Sequence, residues 1–285
     1  MLYQKILVAT DLSENGNRAF AVAEQYRQIS GGVITPAHAL TEPVWPEGIR
    51  LPSLDDAATK QLMEFSYRKC REAAEKFTPS DFVDQPYISY GDPARVLVSA
   101  SAGYDLMVMS THGRTGFRKF IMGSVASKVC RMSKIPVLVT SPGDTPGPFN
   151  NILLTTDFSD ESCKAFEKAH WMLQQTDASF TLLHVLSIEY AGGLADKEQL
   201  YDTVNERLKR FRDEHFAGFE ERVKTHLVVS GNSVHRAISK HIEGQAYDLI
   251  IISTAGRTGI DYVVLGSTAA HVIQTAPVPV LTVRP

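Results

Sequence analysis

The feature of this sequence that most constrains its fold is an internal duplication. The segment KILVATDLS at 5–13 reappears as NILLTTDFS at 151–159, an offset of 157 − 11 = 146 residues. A second segment, YDLMVMSTHGRTG at 104–116, reappears as YDLIIISTAGRTG at 247–259. Extended without gaps to thirty-seven residues, this second pair is identical at sixteen positions. Such self-similarity indicates that one structural unit is present twice.

The length of the chain agrees with two such units, because a single core rarely grows to 285 residues. Between the two copies, the prolines and glycines of SPGDTPGP at 141–148 cannot extend a helix or a central strand. We therefore predict a first domain at 1–142, a linker at 143–148 and a second domain at 149–285.

Within each copy, short apolar or β-branched runs alternate with longer helical patterns, which is typical of βαβ units and a parallel sheet. The runs LMVM at 106–109 and LIII at 249–252 are apolar at every position, so helices must cover both faces of the sheet. We predict an α/β fold made of two repeated, doubly wound, five-stranded parallel sheets with strand order 3-2-1-4-5. In the first copy the predicted strands are 5–10, 32–39, 84–90, 105–110 and 135–140, and the predicted helices are 14–30, 53–78, 92–103 and 123–133.

A ligand in an open parallel sheet binds beyond the carboxyl ends of the strands, where the strand order reverses. With the predicted order, this place lies between the first and fourth strands of each repeat. The first strand is followed by Asp11 or Asp157, and each aspartate is followed by a serine, Ser13 or Ser159, that can cap the next helix. The aspartates could equally brace the start of that helix.

The fourth strand of each repeat runs into a glycine-rich loop. In the first copy Ser110-Thr-His-Gly113 is followed by nine residues and then Gly123-Ser124, and the second copy has Ser253-Thr-Ala-Gly256, nine residues and Gly266-Ser267. Glycines allow close approach of the backbone, and the helix that follows presents unpaired amides with a positive dipole end, which suits phosphate. The simpler alternative is a tight strand-to-helix turn without a ligand.

These residues resemble the universal stress protein family, whose nucleotide-binding members carry G-x-x-G, nine residues and then G-S or G-T. The resemblance covers both halves of the chain and implies a Rossmann-like fold that holds an adenine nucleotide (ATP, ADP or AMP), with or without Mg²⁺. It implies that the base lies near the first-strand aspartate and the end of strand two, and that the ribose and phosphates lie at the loop and helix start. Carried over, the first-repeat residues are Asp11, Ala39, Ser110, Gly113, Arg114, Gly116, Gly123, Ser124 and Val125, and the second-repeat residues are Asp157, Val185, Ser253, Gly256, Arg257, Gly259, Gly266, Ser267 and Thr268.

The two loops depart from the family pattern in one respect and differ from each other in another. Ser110 and Ser253 stand where the pattern has its first glycine, so a small side chain occupies a position of close approach. Arg118 and Lys119 of the first copy are replaced by Asp261 and Tyr262 in the second. We therefore expect the first site to prefer anions more strongly than the second.

Composition and charge exclude several other classes of function. The net charge of −3 offers no broad positive field for nucleic acid, and no apolar run approaches the length of a membrane span. Three scattered cysteines and the absence of a clustered His or Cys motif give no disulfide framework or metal site, which favours a cytoplasmic location. His38 and His184 alternate with apolar residues and are interpreted as structural histidines.

A stress-response protein that binds a nucleotide without catalysis is the leading hypothesis. One alternative is a slow ATPase or phosphoryl-transfer enzyme, although the loops contain no Gly-Lys-Ser or Gly-Lys-Thr segment. The other is an interaction scaffold that has lost its ligand. In either case an unknown protein partner is expected.

Each repeat ends in a short apolar strand, IPVLV at 135–139 and VPVLT at 278–282. An exposed apolar edge is a liability unless another strand pairs with it. Members of the resembling family commonly dimerise through this strand, so we expect the two copies to form a pseudo-dimer within one chain. The sequence leaves open whether two chains also associate as a homodimer.

Overall fold

The computed structural model describes residues 3–41, 56–111, 122–141, 144, 147–188, 197–255 and 265–284. The strands are β1 (Lys5–Ala9), β2 (Val33–Leu40), β3 (Tyr87–Tyr90), β4 (Leu106–Ser110), β5 (Val137–Thr140), β6 (Asn151–Thr155), β7 (Ser179–Ser187), β8 (Val223–Ser230), β9 (Leu249–Ser253) and β10 (Val280–Val283). The helices are α1 (Glu14–Asn17), α2 (Ala19–Ser30), α3 (Asp56–Glu75), α4 (Pro93–Ala100), α5 (Ser124–Met132), α6 (Asp160–Gln175), α7 (Lys197–His215), α8 (Val234–Glu243) and α9 (Ser267–Thr275).

These strands form one sheet in the order β3-β2-β1-β4-β5-β10-β9-β6-β7-β8. Neighbouring strands within each repeat are parallel. The predicted order 3-2-1-4-5 is therefore confirmed in both repeats, and in each repeat the order reverses between the first strand and the fourth.

The two repeats are joined edge to edge through their last strands. β5 and β10 pair antiparallel, with Val139 opposite Val280 and Leu138 opposite Leu281. The Thr282 hydroxyl adds a hydrogen bond of 2.9 Å to the carbonyl oxygen of Val137. The expected pseudo-dimer is confirmed, and it satisfies the two apolar edges that the sequence left unpaired.

The core lies on both faces of the sheet, as the fully apolar strands require. Along β1, Ile6 and Val8 belong to a buried cluster that includes residues of α2 and α6, whereas Leu7 and Ala9 belong to another with residues of α4, α5, α8 and α9. Both clusters include residues of both repeats, so the core continues across the junction. No helix in the described ranges is long and apolar enough to span a membrane.

The first helix of each repeat begins at its predicted cap. The Ser13 Oγ accepts a hydrogen bond of 3.0 Å from the amide of Gly16, and the Ser159 Oγ accepts one of 3.1 Å from the amide of Ser162. The continuous helix predicted over 14–30 is wrong in one detail, because the chain is divided at Arg18 into α1 and α2.

Candidate functional site

A pocket of about 520 Å³ lies at the carboxyl ends of the first repeat's strands, where the strand order reverses. The structure brings six of the predicted site residues to its lining: Asp11, Ala39, Ser110, Gly123, Ser124 and Val125. They come from four separate stretches of sequence, and the topology of the sheet places them together.

Asp11 lies two residues after the end of β1, in a turn that is braced by its own side chain. Its Oδ1 accepts hydrogen bonds from the amide of Ser13 at 3.0 Å and from the Ser13 hydroxyl at 2.6 Å. Between them Leu12 has a positive φ of 65°, a conformation that costs energy for a branched side chain. The bracing role anticipated for Asp11 is thus confirmed, while the residue also lines the pocket.

Gly123 is the residue before α5 and lines the same pocket. Its amide donates a hydrogen bond of 2.9 Å to the carbonyl oxygen of Thr111, and a Cβ added at Gly123 would lie only 2.7 Å from that oxygen. Glycine is therefore needed for a close approach of two backbones. Within the described residues no side chain caps α5, so the first-turn amides at Ser124 and Val125 keep their capacity to bind an anion.

His38 forms part of the pocket wall beside Asp11. Its Nδ1 lies 2.8 Å from the carbonyl oxygen of Thr10, and His184 makes the same contact with Thr156 at 2.8 Å. A carbonyl accepts a hydrogen bond, so Nδ1 carries the proton in both rings. Both histidines are therefore satisfied by the backbone, as expected of structural residues, while His38 also lines the pocket.

The side wall of the pocket was missed by sequence reasoning. It contains Leu62, Phe65 and Ser66 of α3, and the side chains of Leu62 and Phe65 are 37% and 47% exposed. Apolar residues three apart on an amphipathic helix ordinarily indicate a core-facing stripe, so the pattern gave no sign of a ligand wall. Further lining residues that were not predicted are Ala9, Thr10, Leu12, Gly16, Leu40, Thr41, Pro93, Leu97, Met109, Thr111 and Ala126.

The second repeat has the same turn and the same backbone hydrogen bond at the corresponding positions. The Asp157 Oδ1 accepts hydrogen bonds from the amide and hydroxyl of Ser159 at 3.1 and 2.5 Å.

The amide of Gly266, before α9, donates to the carbonyl oxygen of Thr254 at 2.9 Å, and an added Cβ would lie 3.1 Å from that oxygen. Ser267 and Thr268 occupy the first turn of α9, and Val185 lies in β7 beside Val228 of β8.

The two serines that replace the pattern's first glycine have different surroundings. Ser110 lines the pocket of the first repeat and does not close it. Ser253 is buried, and its Oγ accepts a hydrogen bond of 3.4 Å from the amide of Ala255. The Ser253 side chain therefore braces its own loop.

The family model described as "Universal stress protein family" matches residues 2–141 and again residues 148–284. The chain belongs to the universal stress protein family.

Relatives with this family name match either nearly the whole chain or about half of it. A universal stress protein of Mycolicibacterium smegmatis is 25% identical over 98% of this chain and 97% of its own length. One of Methanocaldococcus jannaschii is 29% identical over 48% of this chain and 82% of its own. The crystal structure of a universal stress protein from Archaeoglobus fulgidus superposes with a TM-score of 0.73, covering 100% of this chain and 99% of that one at 22% identity, which supports the fold.

Part of the universal stress protein motif lies outside the described residues. This concerns the predicted site residues Gly113, Arg114, Gly116, Gly256, Arg257 and Gly259, and also Arg118, Lys119, Asp261 and Tyr262, on which the expected difference in anion preference depends.

In the parts of the chain that the structure describes, no three His, Cys, Asp or Glu side chains converge on a point that could hold a metal ion. Among the described lining residues of the pocket, Asp11 alone carries a carboxylate.

Proposed function

We propose that this universal stress protein binds an adenine nucleotide, ATP, ADP or AMP, in the pocket of its first repeat. The observation that carries the proposal is the convergence of Asp11, Ala39 and the start of α5 on one pocket of about 520 Å³. That volume lies within the range of about 300–1,000 Å³ common for small-molecule sites.

The two walls of the pocket offer complementary chemistry for the two ends of a nucleotide. The carboxylate of Asp11 is a hydrogen-bond acceptor suited to the exocyclic amine of adenine, and Ala39 presents backbone groups beside it. The uncapped start of α5 at Ser124 suits phosphate oxygens because amides and the helix dipole point there. Apolar side chains of Leu40 and Phe65 lie along the pocket and can cover a flat base.

The same lining supports binding in preference to catalysis. Phosphoryl transfer needs groups that hold Mg²⁺ and orient the attacking oxygen. Of the described lining residues, Asp11 is the only carboxylate, and its Oδ1 already accepts two hydrogen bonds from Ser13. The protein would then act in a stress response by presenting its liganded or unliganded state to a protein partner.

A cytoplasmic location is part of the proposal. Cys70, Cys130 and Cys163 are all free thiols. Free thiols are usual in the reducing cytoplasm.

The first experiment is to denature the purified protein and identify any released small molecule by mass spectrometry. Isothermal titration with ATP, ADP and AMP then compares the wild type with Asp11→Ala and with the matched control Asp157→Ala, which loses the same brace in the other repeat. We expect Asp11→Ala to lower affinity about ten-fold or more and Asp157→Ala to leave the first site intact. Absence of nucleotide both in the preparation and in titration would refute the proposal and favour a scaffold, and hydrolysis abolished by Asp11→Ala would favour an ATPase.

A further inference from the structure

Helix α3 carries two apolar stripes, and the first of them attaches the helix to the sheet. This stripe consists of Met63, Tyr67 and Cys70, which are spaced four and three residues apart. Residues at this spacing share one face of a helix. They pack in a small apolar cluster with Leu40 of β2 and Ile88 of β3.

The second stripe of α3 faces the pocket of the first repeat. It consists of Leu62, Phe65 and Ser66, which all line the pocket of about 520 Å³. Phe65 is 47% exposed, more than any other large hydrophobic residue in the described ranges, and Leu62 is exposed as well. The Ser66 hydroxyl donates a hydrogen bond of 2.8 Å to the carbonyl oxygen of Leu62, so it is already satisfied within the helix. The helix therefore presents a mainly apolar wall to the pocket.

The attachment of α3 differs along its length. Ala73 and Ala74, near its end, belong to the large core cluster that includes residues of both repeats. Among the described apolar clusters, Met63, Tyr67 and Cys70 belong only to the small one. Segments with few buried apolar contacts open more readily than the rest of a fold. The half of α3 that borders the pocket is thus the less firmly attached half.

Phe65 also connects the pocket to the outer surface of α3. The guanidinium carbon of Arg68 lies 5.6 Å from the centroid of the Phe65 ring, and the Nζ of Lys69 lies 5.9 Å from it. Both cations pair with the carboxylate of Glu72, at 3.8 Å and 2.7 Å. These three charged side chains are accessible to solvent. A change at Phe65 therefore reaches charged groups that a protein partner can contact.

Building on the nucleotide site proposed for the first repeat, we infer that α3 is the element that responds to occupancy, with Leu62 and Phe65 packing against the bound base. A base held beside Asp11 has flat faces, and an aromatic ring stacks favourably on such a face. The ligand buries the exposed stripe and gives the pocket half of α3 apolar contacts that it lacks when the pocket is empty. Binding and the local stability of α3 are thereby coupled.

Hydrogen–deuterium exchange of the full-length wild type tests this coupling, with and without saturating ATP, ADP or AMP. We expect amides in a peptide that covers residues 62–70 to exchange about ten-fold or more slowly with nucleotide. A peptide from α7 of the second repeat serves as the control and should not change. Nucleotide binding seen by calorimetry without protection of 62–70 would overturn this inference and leave the proposed function standing. No binding by the wild type would refute both.

The contribution of Phe65 is tested by titration of Phe65→Ala with the same nucleotides. The affinity should fall about ten-fold or more, and Phe65→Tyr, which keeps the ring, should retain it. The matched control is Phe77→Ala, because Phe77 follows the same helix, is 38% exposed and lies outside the lining of the nucleotide pocket. Exchange of 62–70 without nucleotide shows whether a variant has lost the helix itself. Affinity that Phe65→Ala leaves unchanged, or that Phe77→Ala lowers equally, would overturn the role of Phe65.

Discussion

The hydroxyl of Tyr26 donates a hydrogen bond of 3.6 Å to the sulfur of Met172, which stands at the same place in the second repeat, 146 residues further along the chain. Around this contact Trp171 lies edge-on to Tyr3 at 4.7 Å and parallel to Tyr26 at 6.2 Å. Phe149, which follows the linker, contacts Tyr26 at 5.1 Å. On one face of the sheet the junction therefore has an aromatic core shared by both repeats.

Trp171→Ala should destabilise both repeats together. Trp171 is buried between residues of the first repeat, and removal of a buried tryptophan costs about 3–5 kcal/mol. Differential scanning calorimetry should show one transition shifted to lower temperature, with the half-exposed Tyr201→Ala as a nearly silent control. Two transitions in the wild type, of which the substitution moves one, would contradict a shared core.

Gly123→Val should impair ligand binding more than Gly266→Val. The added Cβ would lie 2.7 Å from the carbonyl oxygen of Thr111 at Gly123, but 3.1 Å from that of Thr254 at Gly266. The first contact requires the backbone to move, which shifts the start of α5 away from the proposed phosphate position. Calorimetric titration should show affinity reduced about ten-fold or more by Gly123→Val. Equal losses in the two variants would argue that the sites are equivalent.

A smaller cavity, of about 140 Å³, has a largely apolar lining that includes Val22 and Phe77, and Asp144, Thr140 and Arg18 contribute its polar groups. The Asp144 Oδ2 accepts a hydrogen bond of 2.7 Å from the amide of Ser141. The Asp144 Oδ1 and the Thr140 hydroxyl are buried and have no hydrogen-bond partner among the described residues. Burial raises the pKa of Asp144 to about 7.

This raised pKa predicts a pH-dependent effect of Asp144→Asn on stability. The folded chain holds the Asp144 proton more tightly than the unfolded chain. The protonated carboxyl group is therefore compatible with the folded state at low pH, and the chain loses stability as the pH rises through about 7 and the buried group becomes charged. At pH 8 the variant should gain up to about 4 kcal/mol over the wild type, and the gain should shrink towards pH 5. Urea denaturation from pH 5 to pH 8 measures it, with the exposed Asp84→Asn as control. A difference independent of pH would show that Asp144 does not titrate in this way.

Two histidine pairs in the second repeat predict loss of stability in mild acid. Burial lowers the pKa of His241, which stacks on His226 with centroids 4.6 Å apart. Burial also lowers the pKa of His271, helped by His235 at 4.4 Å and by the charge of Arg236. The unfolded chain binds protons at these two histidines more readily than the folded chain. The neutral histidines therefore stabilise the fold fully above about pH 6.5, and this stabilisation falls as the pH drops from there through the lowered pKa values of the folded state.

The measurement is urea denaturation at pH 7.5 and pH 5.0 for the wild type and for the double substitution His241→Gln and His271→Gln. The variant should lose less stability between the two pH values. Identical losses in the two proteins would assign the acid sensitivity to other groups.

The sequence was sufficient for the features that depend on local pattern. The strand order, the caps at Ser13 and Ser159 and the gathering of Asp11 with Gly123 follow from apolar runs, cap residues and the rule for ligand sites in parallel sheets. The side wall at Phe65 could not be predicted in this way, because an apolar residue on an amphipathic helix has the same pattern whether it faces a core or a ligand.

Side-chain packing between segments that are distant in sequence is the second kind of feature that the sequence did not predict. The left-handed backbone at Leu12 and Phe158 is not encoded by a glycine, and the stack of Phe158 on His184 depends on α7, a helix far away in sequence. The duplication made the two sites look alike in sequence, because the residues that the repeats share are those that form the backbone turns around each site. One difference between them is the side chain after the aspartate, Leu12 in the first repeat and Phe158 in the second, together with the residues of α7 that contact Phe158.

The antiparallel junction of β5 and β10 has a consequence for how the protein can evolve. In a symmetric homodimer every substitution is imposed on both halves at once, because both are translated from one coding segment. Here each half is encoded by its own segment, and because both halves belong to one chain they are always present in equal number. Each half can then change independently of the other, and the difference between Leu12 and Phe158 at the same position of the two repeats is one such change.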